Sequence, residues 1–303
     1  MALNHGWSWT SSYKGETPVG QFGVEDVRNQ VRGDFSSLRC MSEFAAFLEK
    51  NKAAWNQRTD IHVRSEFYDV DGFRQGQTSL KPFEINLLGD VAGTSILHLQ
   101  CHFGQDTLSL ARLGARATGI DFSDKAIDFA RGLSEELKVD ARFVLSDVMA
   151  LDLGEKFDLV FASYGVIGWI PDLQKWADTV AQHLEVGGEL VLVEFHPLMW
   201  LLDEHARVPY FYTAQPDIET EQGTYTDGGE GASITSCWWN HSLSELFRCL
   251  KSAGLDMLSF EEFDHSPYPL EGMVEREPGQ YVYRSRQTQH LPYCYAVKAR
   301  MKG

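Results

Sequence analysis

The sequence predicts an α/β fold with a doubly wound, mostly parallel sheet and helices on both of its faces. From Ser95 onward, short apolar runs alternate with helical segments, which is the pattern of repeated β-α-β units. The apolar runs are nearly continuous, as expected of strands that helices cover on both faces. The 303 residues suffice for one large domain, or for a domain with an appendage.

The predicted elements follow one another in a regular order. Strands at residues 95–99 and 116–120 flank a helix at 107–113, which ends at Gly114. Ser123 is the predicted N-cap of the next helix, which runs to residue 137. The order continues with strands at 141–145 and 157–163, a helix at 173–184, a turn at 185–188 and a strand at 189–195. A capping box at Ser242 opens a helix that ends near Gly254, and the last strands are 255–262 and 293–300.

Two parts of the chain lie outside this alternation. Residues 1–84 are predicted to form an arm, at 1–40, and a helical lid, with helices at 41–55 and 60–68. They precede a domain at 85–303. Residues 197–240 are rich in aromatic and acidic residues, and the stretch is too long for an ordinary loop. This insertion after the fifth strand is therefore predicted to be a lid or a small subdomain.

The first β-α-β unit carries the clearest functional pattern. Its first turn is tight, and Asp121 ends its second strand about 17 residues after Gly104, which suits an acid that binds ribose hydroxyls. Gly104 is the only glycine in the turn, and the motif GxGxxG is absent. Since a pyrophosphate needs several glycines at close range, the turn favours a nucleoside ligand over a dinucleotide.

The run HLQCHFGQDTLSLARLGA resembles the LDLGCGxG loop of class I S-adenosylmethionine (SAM)-dependent methyltransferases, and within them a bacterial subgroup. His98 stands where the family has an acid, and Gln100 and His102 stand where it has glycines. The resemblance implies a Rossmann-like sheet of seven strands, with six parallel and one antiparallel. It also implies SAM as cofactor, with S-adenosylhomocysteine (SAH) as product.

Ligands of open α/β sheets bind at the carboxyl ends of the strands, which selects the candidate residues. Asp121 is expected to bind the ribose, with a solvated turn acid as the alternative, and Phe122 to pack on the adenine. Under the resemblance Asp147 accepts the adenine amino hydrogens, with an N-cap as the alternative. Gly104 is expected to need a positive φ or a bare backbone against the cofactor. The expected cofactor-binding residues are Gln100, Cys101, His102, Phe103, Gly104, Asp121, Phe122, Ser146, Asp147, Val148, Ser163 and Tyr164.

Four residues are candidates for the chemistry of methyl transfer, two of them weaker than the others. His196 follows the fifth strand and is the first candidate for a general base, although a turn histidine bonded to the backbone is the simpler alternative. Tyr164 ends the fourth strand, where relatives face the sulfonium, and a core aromatic is an equal alternative. Tyr68 is a weaker candidate from the N-terminal segment, as is His241.

Methyl transfer requires a site closed to water, and the strand ends alone leave it open. The N-terminal segment and the insertion are therefore both expected to cover the strand ends. Tyr68 would lie over the cofactor, and Tyr210, Tyr212 or Trp238 would line the substrate side. The alternative is that these aromatic segments form a homodimer interface.

Composition excludes several other classes of protein. A formal net charge of −16 argues against a nucleic-acid substrate, since phosphate binding needs a basic surface. Five scattered cysteines make neither a disulfide framework nor a zinc site, and His98, Cys101 and His102 are not expected to converge on a metal. No signal-peptide pattern and no long apolar run occurs, so a cytoplasmic protein without membrane contact is expected.

The sequence therefore predicts methyl transfer from SAM to a small-molecule acceptor whose identity it does not reveal. A SAM-using enzyme of other chemistry would share every cofactor residue, and product analysis separates the two. A non-catalytic SAM-binding protein would bind without turnover. An NAD-linked oxidoreductase would need the absent GxGxxG motif, and a nicotinamide titration tests it.

Overall fold

Eleven strands and seven helices form the part of the chain that the computed structural model describes, which is residues 38–201, 209–270, 272–284 and 290–303. Side chains are described from residue 44, so most of the predicted arm at 1–40 lies outside the described residues. The strands are β1 Ser95–His98, β2 Arg116–Asp121, β3 Arg142–Leu145, β4 Phe157–Ser163, β5 Leu184–Phe195, β6 Asp217–Gln222, β7 Ser233–Trp238, β8 Leu255–Phe263, β9 Met273–Glu277, β10 Gln280–Tyr283 and β11 Cys294–Met301. The helices are α1 Leu38–His62, α2 Val70–Arg74, α3 Pro82–Leu88, α4 Gln105–Arg112, α5 Asp124–Leu137, α6 Leu173–Gln182 and α7 Leu243–Ser252.

Seven of these strands form one sheet in the order β3-β2-β1-β4-β5-β11-β8. Strands β1 to β5 pair in parallel, and β11 runs antiparallel to both of its neighbours, β5 and β8. The order reverses between β1 and β4, where a ligand crevice opens in a doubly wound sheet. The predicted fold class, with six parallel strands and one antiparallel strand, is confirmed.

Alternate residues of the central strands enter two separate cores. Ile96 packs in one cluster with Leu110 of α4, while its neighbour Leu97 packs in another with Trp176 and Leu250. Because successive side chains of a strand point to opposite faces, a strand covered on both sides is apolar at every position. This is the physical reason for the continuous apolar runs in the sequence.

Short polar side chains begin the helices beside the sheet. Ser123 accepts a hydrogen bond from the Ala126 backbone N–H, and Ser242 accepts one from Glu245 N–H. These N-caps satisfy backbone donors that a helix otherwise leaves unpaired. Both predicted caps are confirmed, and α4 also ends before a Gly114 with φ of 93°, as predicted.

Two predicted boundaries are wrong. Helix α1 is continuous to His62, so the separate helices at 41–55 and 60–68 do not exist, and Tyr68 lies in a turn. No Gly or Pro interrupts residues 41–62, so nothing in the chain ends the helix earlier. The predicted turn at 185–188 instead belongs to β5, where the pairing with β4 shifts register between Phe157 and Leu159.

The chain divides into two compact units, residues 1–43 and 44–303, and all the contacts described below lie within the second. In this unit, the predicted insertion contains an antiparallel hairpin in which β6 pairs with β7 from Asp217 opposite Trp238 to Gln222 opposite Ser233. A second hairpin joins β9 and β10. Among the described helices, none has the length and apolar character needed to cross a bilayer.

Candidate active site

A cavity of about 520 Å³ opens where the carboxyl ends of β1 to β4 meet. Its volume is in the usual range for small-molecule sites. All twelve residues expected to bind the cofactor line it, and so does Tyr68. The other walls come from the N-terminal segment, the start of α4, the loop after β4, the insertion, and Tyr268 with Leu270.

The turn after β1 keeps the backbone shape of a glycine loop although it contains two large side chains. Gln100 and His102 have φ of 52° and 51°, and Gly104 has φ of 84°. Residues other than glycine seldom adopt this left-handed region of backbone conformation. Each residue held there is strained by about 1–3 kcal/mol. The surrounding contacts must therefore hold both residues in place.

Each of the two side chains bonds to a different neighbour. The Gln100 side-chain amide donates to the Val166 carbonyl oxygen at 2.9 Å and accepts from the Trp176 indole N–H at 3.3 Å. His102 Nε2 lies 3.0 Å from Nδ1 of His62 at the end of α1. Burial, with the positive charge of Arg58, lowers the pKa of His62 to about 3, so the two imidazoles meet as neutral rings. The turn is thus fastened to the loop after β4 and to α1.

Position 104 requires glycine because a side chain there would collide with the protein interior. A Cβ atom at this position would lie 2.6 Å from the Phe143 ring and 2.8 Å from the Ala130 Cβ. The expected positive φ is present, but the close approach is to the core on α5 and β3. Of the two alternatives expected for Gly104, the positive φ is therefore confirmed, and the packing against Phe143 and Ala130 adds a second requirement for glycine.

Asp121 ends β2 with its carboxylate fixed by two backbone donors. One oxygen accepts from the His102 N–H at 2.9 Å and the other from the Ser123 N–H at 2.8 Å. Burial raises the pKa of Asp121 to about 7, although these N–H groups lower it. A carboxylate retained in such a site, at the cavity wall, suits a ligand that brings hydroxyl donors.

The residues after β3 form the next part of the wall. The Asp147 carboxylate accepts from the Met149 N–H at 2.9 Å and caps a short 3-10 turn, Val148–Ala150. The N-cap interpretation is therefore present, while Asp147 also lines the cavity. Phe122, Val148 and Met149 line the same region and offer apolar surface to a planar group.

Glu194, which the sequence did not single out, shapes the loop after β4. Its buried carboxylate accepts from the backbone N–H groups of Val166 and Ile167 at 2.7 and 2.9 Å. Burial raises its pKa, and these backbone donors oppose the rise. An acid near the end of the apolar run ELVLVEF was the available signal, since such an acid must find donors.

Tyr164 is joined to a second residue that the sequence did not indicate. Its hydroxyl donates to the Glu84 carboxylate on α3 at 3.1 Å, and its backbone φ is 42°. Glu84 is fully buried, and burial, with the negative charge of Asp106, raises its pKa to about 8. Tyr164 lines the cavity, so this pair connects the ligand space to a carboxyl group that can exchange a proton near neutral pH.

The N-terminal segment and the insertion meet over the turn after β1. The Tyr68 and Tyr225 hydroxyls lie 2.6 Å apart, and His62 Nε2 lies 2.8 Å from the Thr224 hydroxyl. The Asp227 carboxylate accepts from the backbone N–H groups of residues 66 and 67. Both segments therefore cover this part of the site, with the Tyr68 ring 4.9 Å from that of Phe103.

His196 does not line the cavity. Its Nδ1 accepts from the Leu198 N–H at 3.1 Å, and its Nε2 lies 3.1 Å from the Glu262 carboxylate on β8. Burial lowers its pKa, against the charge of Glu262. The ring contacts Glu262 and the backbone after β5 and lies outside the cavity lining, so the expected role of His196 as general base is corrected.

Other aromatic candidates divide between the cavity and the surrounding structure. Trp238 lines the cavity, with its ring packed directly over Gly168. Tyr210 and Tyr212 do not, and the Tyr212 hydroxyl donates to the Pro171 carbonyl at 2.8 Å. His241 stacks on Tyr212 and also lies outside.

Within the described ranges, no three His, Cys, Asp or Glu side chains are grouped as a metal ion would require.

Comparison with known proteins places this geometry in a class. Residues 96–188 match the family described as a methyltransferase domain. The demethylmenaquinone methyltransferase of Lactococcus lactis subsp. lactis (strain IL1403) is 24% identical over 209 residues, which cover 67% of this chain and 70% of the relative. The ubiquinone biosynthesis O-methyltransferase of Xanthomonas oryzae pv. oryzae (strain PXO99A) is 29% identical over 43% of this chain, which spans about half, 56%, of that relative.

Solved structures share the fold. A SAM-dependent methyltransferase from Clostridium acetobutylicum ATCC 824 superposes with a TM-score of 0.52 at 16% identity, over 87% of this chain and 100% of its own. Another from Mesorhizobium loti gives 0.51 at 20% identity, over 75% of this chain and 99% of its own.

The domain match and the named relatives define the activity: the chain carries a methyltransferase domain at residues 96–188. The predicted enzyme class, a methyltransferase, is confirmed.

Proposed function

We propose that this enzyme binds SAM in the cavity at the strand ends and methylates a small molecule held beside Tyr164. The names of the two relatives favour a small-molecule acceptor. The observation that carries the proposal is the position of Asp121, a buried acid at the end of β2 and on the wall of a 520 Å³ cavity. The loop HLQCHFGQDTLSLA marks the subgroup to which we assign the chain.

The residues present fit the cofactor. Asp121 would accept both ribose hydroxyls, and Phe122, Val148 and Met149 would hold the adenine. The turn at residues 100–104 and Ser163 would hold the methionine part. When bound, SAM supplies an electrophilic methyl group on a sulfonium.

The chain's own contribution is to orient the acceptor, exclude water and remove a proton where the acceptor carries one. Tyr68 with Tyr225 closes the site above the turn. We assign proton removal to the pair formed by Tyr164 and Glu84. The acceptor proton passes to Tyr164 Oη while the Tyr164 hydroxyl proton passes to Glu84 Oε2, 3.1 Å away. The pKa of about 8 places Glu84 where a general base is effective near neutral pH.

The test is the affinity for SAH, measured by calorimetry for the parent and for Asp121→Asn. Asparagine keeps the shape and one acceptor but removes the charge, so we expect affinity to fall by about tenfold or more. Asp140→Asn, an exposed acid in the turn before β3, is the matched control and should bind SAH as the parent does. Unchanged affinity in Asp121→Asn would contradict the ribose assignment.

A further inference from the structure

One wall of the cavity consists largely of indole rings. Trp55, Trp169, Trp200 and Trp238 all line the cavity, and we call them the tryptophan wall. Successive rings meet edge to face, with centroids 5.3 Å apart for Trp55 and Trp169, 4.8 Å for Trp169 and Trp238, and 4.9 Å for Trp200 and Trp238. The wall thus offers ring faces and edges to an occupant.

Strand β6 adds carboxylates to the same space. Asp217, Glu219 and Glu221 line the cavity because alternate residues of a strand share one face. Glu221 accepts a hydrogen bond from Arg58 at 2.7 Å. The Asp217 carboxylate has no hydrogen bond or ion pair to any described side chain. Its neighbours on the same face of the strand are also acids, and like charges there repel one another. Arg58 therefore neutralises Glu221 and leaves the negative charge of Asp217 facing the cavity.

Arg58 provides an independent observation at this wall. Its side chain lines the cavity, is 2% exposed, and lies 5.5 and 5.4 Å from the ring centroids of Trp55 and Trp169. Its Nη2 reaches Glu221 and Ser236, but Nε and Nη1 have no hydrogen-bond partner within the described residues. Buried guanidinium N–H donors without acceptors cost free energy. A ligand that places an oxygen atom beside Arg58 would supply the missing acceptor.

We propose that the substrate of methyl transfer carries an ammonium group, which serves recognition because it has no lone pair to accept a methyl group, and also a hydrogen-bond-accepting oxygen. This inference rests on the proposed function, because it places the acceptor in the cavity that SAM shares. The ammonium group binds the β6 carboxylates and the indole faces, as Arg58 already does with Trp55, Trp169 and Glu221. The oxygen supplies the acceptor that Arg58 lacks.

Neutral and anionic acceptors fit this wall less well. An uncharged phenol would bury Asp217 without a counter-charge, and a carboxylate would add repulsion from Asp217. The overall charge of −16 also attracts cations toward the cavity. The wall therefore discriminates by charge as well as by shape.

The experiment measures the binding of four probes to the full-length protein saturated with SAH, by calorimetry. The probes are tyramine, phenethylamine, p-cresol and 3-(4-hydroxyphenyl)propionate, which vary the ammonium and the oxygen separately. We expect tyramine to bind tightest and p-cresol and the propionate to bind about tenfold more weakly or worse. The affinity of phenethylamine should lie between these values, since it keeps the ammonium group and lacks only the oxygen.

Two variants locate the binding. Asp217→Asn should lower the affinity for tyramine about tenfold and leave the affinity for SAH unchanged. Glu230 is an exposed acid between β6 and β7, and Glu230→Gln should change neither affinity. Glu219→Gln serves as a second variant on the same face if Asp217→Asn does not fold.

The proposal is overturned if p-cresol or the propionate binds as tightly as tyramine, or if no probe binds the SAH-saturated protein. Failure of the parent protein to bind SAH would count against the proposed function instead.

Discussion

The Asp121 carboxylate accepts a hydrogen bond from the backbone N–H of His102 at 2.9 Å, so the acid that ends β2 also holds the turn after β1. His102 has a φ of 51°, a conformation that this bond helps to maintain. The end of β2 and the turn after β1, which we propose as the two halves of a nucleoside site, are therefore mechanically linked. A ligand hydroxyl would meet a carboxylate that is already oriented, which lowers the entropy lost on binding.

Substitutions of Gln100 test whether its hydrogen bonds stabilise a positive φ at a position where glycine is usual. Gln100→Ala removes two hydrogen bonds and keeps the strained φ of 52°, so unfolding free energy should fall by about 1–3 kcal/mol. Gln100→Gly loses the same bonds but relieves the strain, and should be more stable than the alanine variant by about 1 kcal/mol. Urea denaturation of the two variants measures the difference, and an alanine variant that equals or exceeds the glycine variant would contradict the account.

Gly104→Ala should disturb folding itself. The added Cβ would meet Phe143 and Ala130 at 2.6 and 2.8 Å, and φ is 84°. Gly187→Ala is the matched control, because its φ is 82° with nothing within 4 Å of the added atom. Both should lose about 1–2 kcal/mol for the left-handed backbone, and Gly104→Ala about 1–3 kcal/mol more for overpacking. Equal unfolding free energies would show that Phe143 and Ala130 yield without strain.

Glu84 should make stability depend on pH. Its pKa rises from 4.5 to about 8 on folding, so the folded protein holds the proton more firmly over that interval. The stability linked to this proton is complete below pH 4.5 and is lost as pH rises through about 8. The glutamine in Glu84→Gln stays neutral and keeps an acceptor for Tyr164. The free energy of unfolding of this variant should therefore match that of the parent at pH 5 and exceed it at pH 9 by about a few kcal/mol.

Unfolding free energies at the two pH values measure this effect. Glu185→Gln, an exposed acid on β5, should follow the parent at both. A Glu84→Gln variant with the parent's pH dependence would mean that Glu84 is already ionised in the fold.

The contact between Tyr68 and Tyr225 should control how long the cofactor stays bound. Their hydroxyls lie 2.6 Å apart and join the N-terminal segment to the insertion. Tyr68→Phe and Tyr225→Phe should each speed SAH dissociation severalfold, since one hydrogen bond contributes about 1 kcal/mol. Stopped-flow fluorescence of both variants and their combination measures this, and the double variant should be no faster than the singles. Additive effects would show that the hydroxyls act separately.

The sequence predicted the sheet well because local patterns determine it. Continuous apolar strands such as 157–163, the caps at Ser123 and Ser242, and Gly114 each act within a few residues. The sequence was less informative where the chain meets itself over long distances. The pairing of Tyr164 with Glu84 spans 80 positions, and that of Arg58 with Glu221 spans 163.

The site residues divide along the same line. Strand ends could be located from periodicity, and every residue expected at the cofactor lines the cavity. The direction of a side chain at a turn could not be located in this way, and His196 contacts Glu262 on β8, a residue 66 positions away in the chain. Glu84 and Glu194 were missed because their importance comes from burial, which a single sequence does not reveal.

The most direct test of the central claim is a crystal structure of the protein with SAH. The account predicts both ribose hydroxyls within hydrogen-bonding distance of Asp121, the adenine against Phe122 and Val148, and the sulfur facing Tyr164 and the tryptophan wall. SAH bound elsewhere, or bound with its ribose away from Asp121, would contradict it.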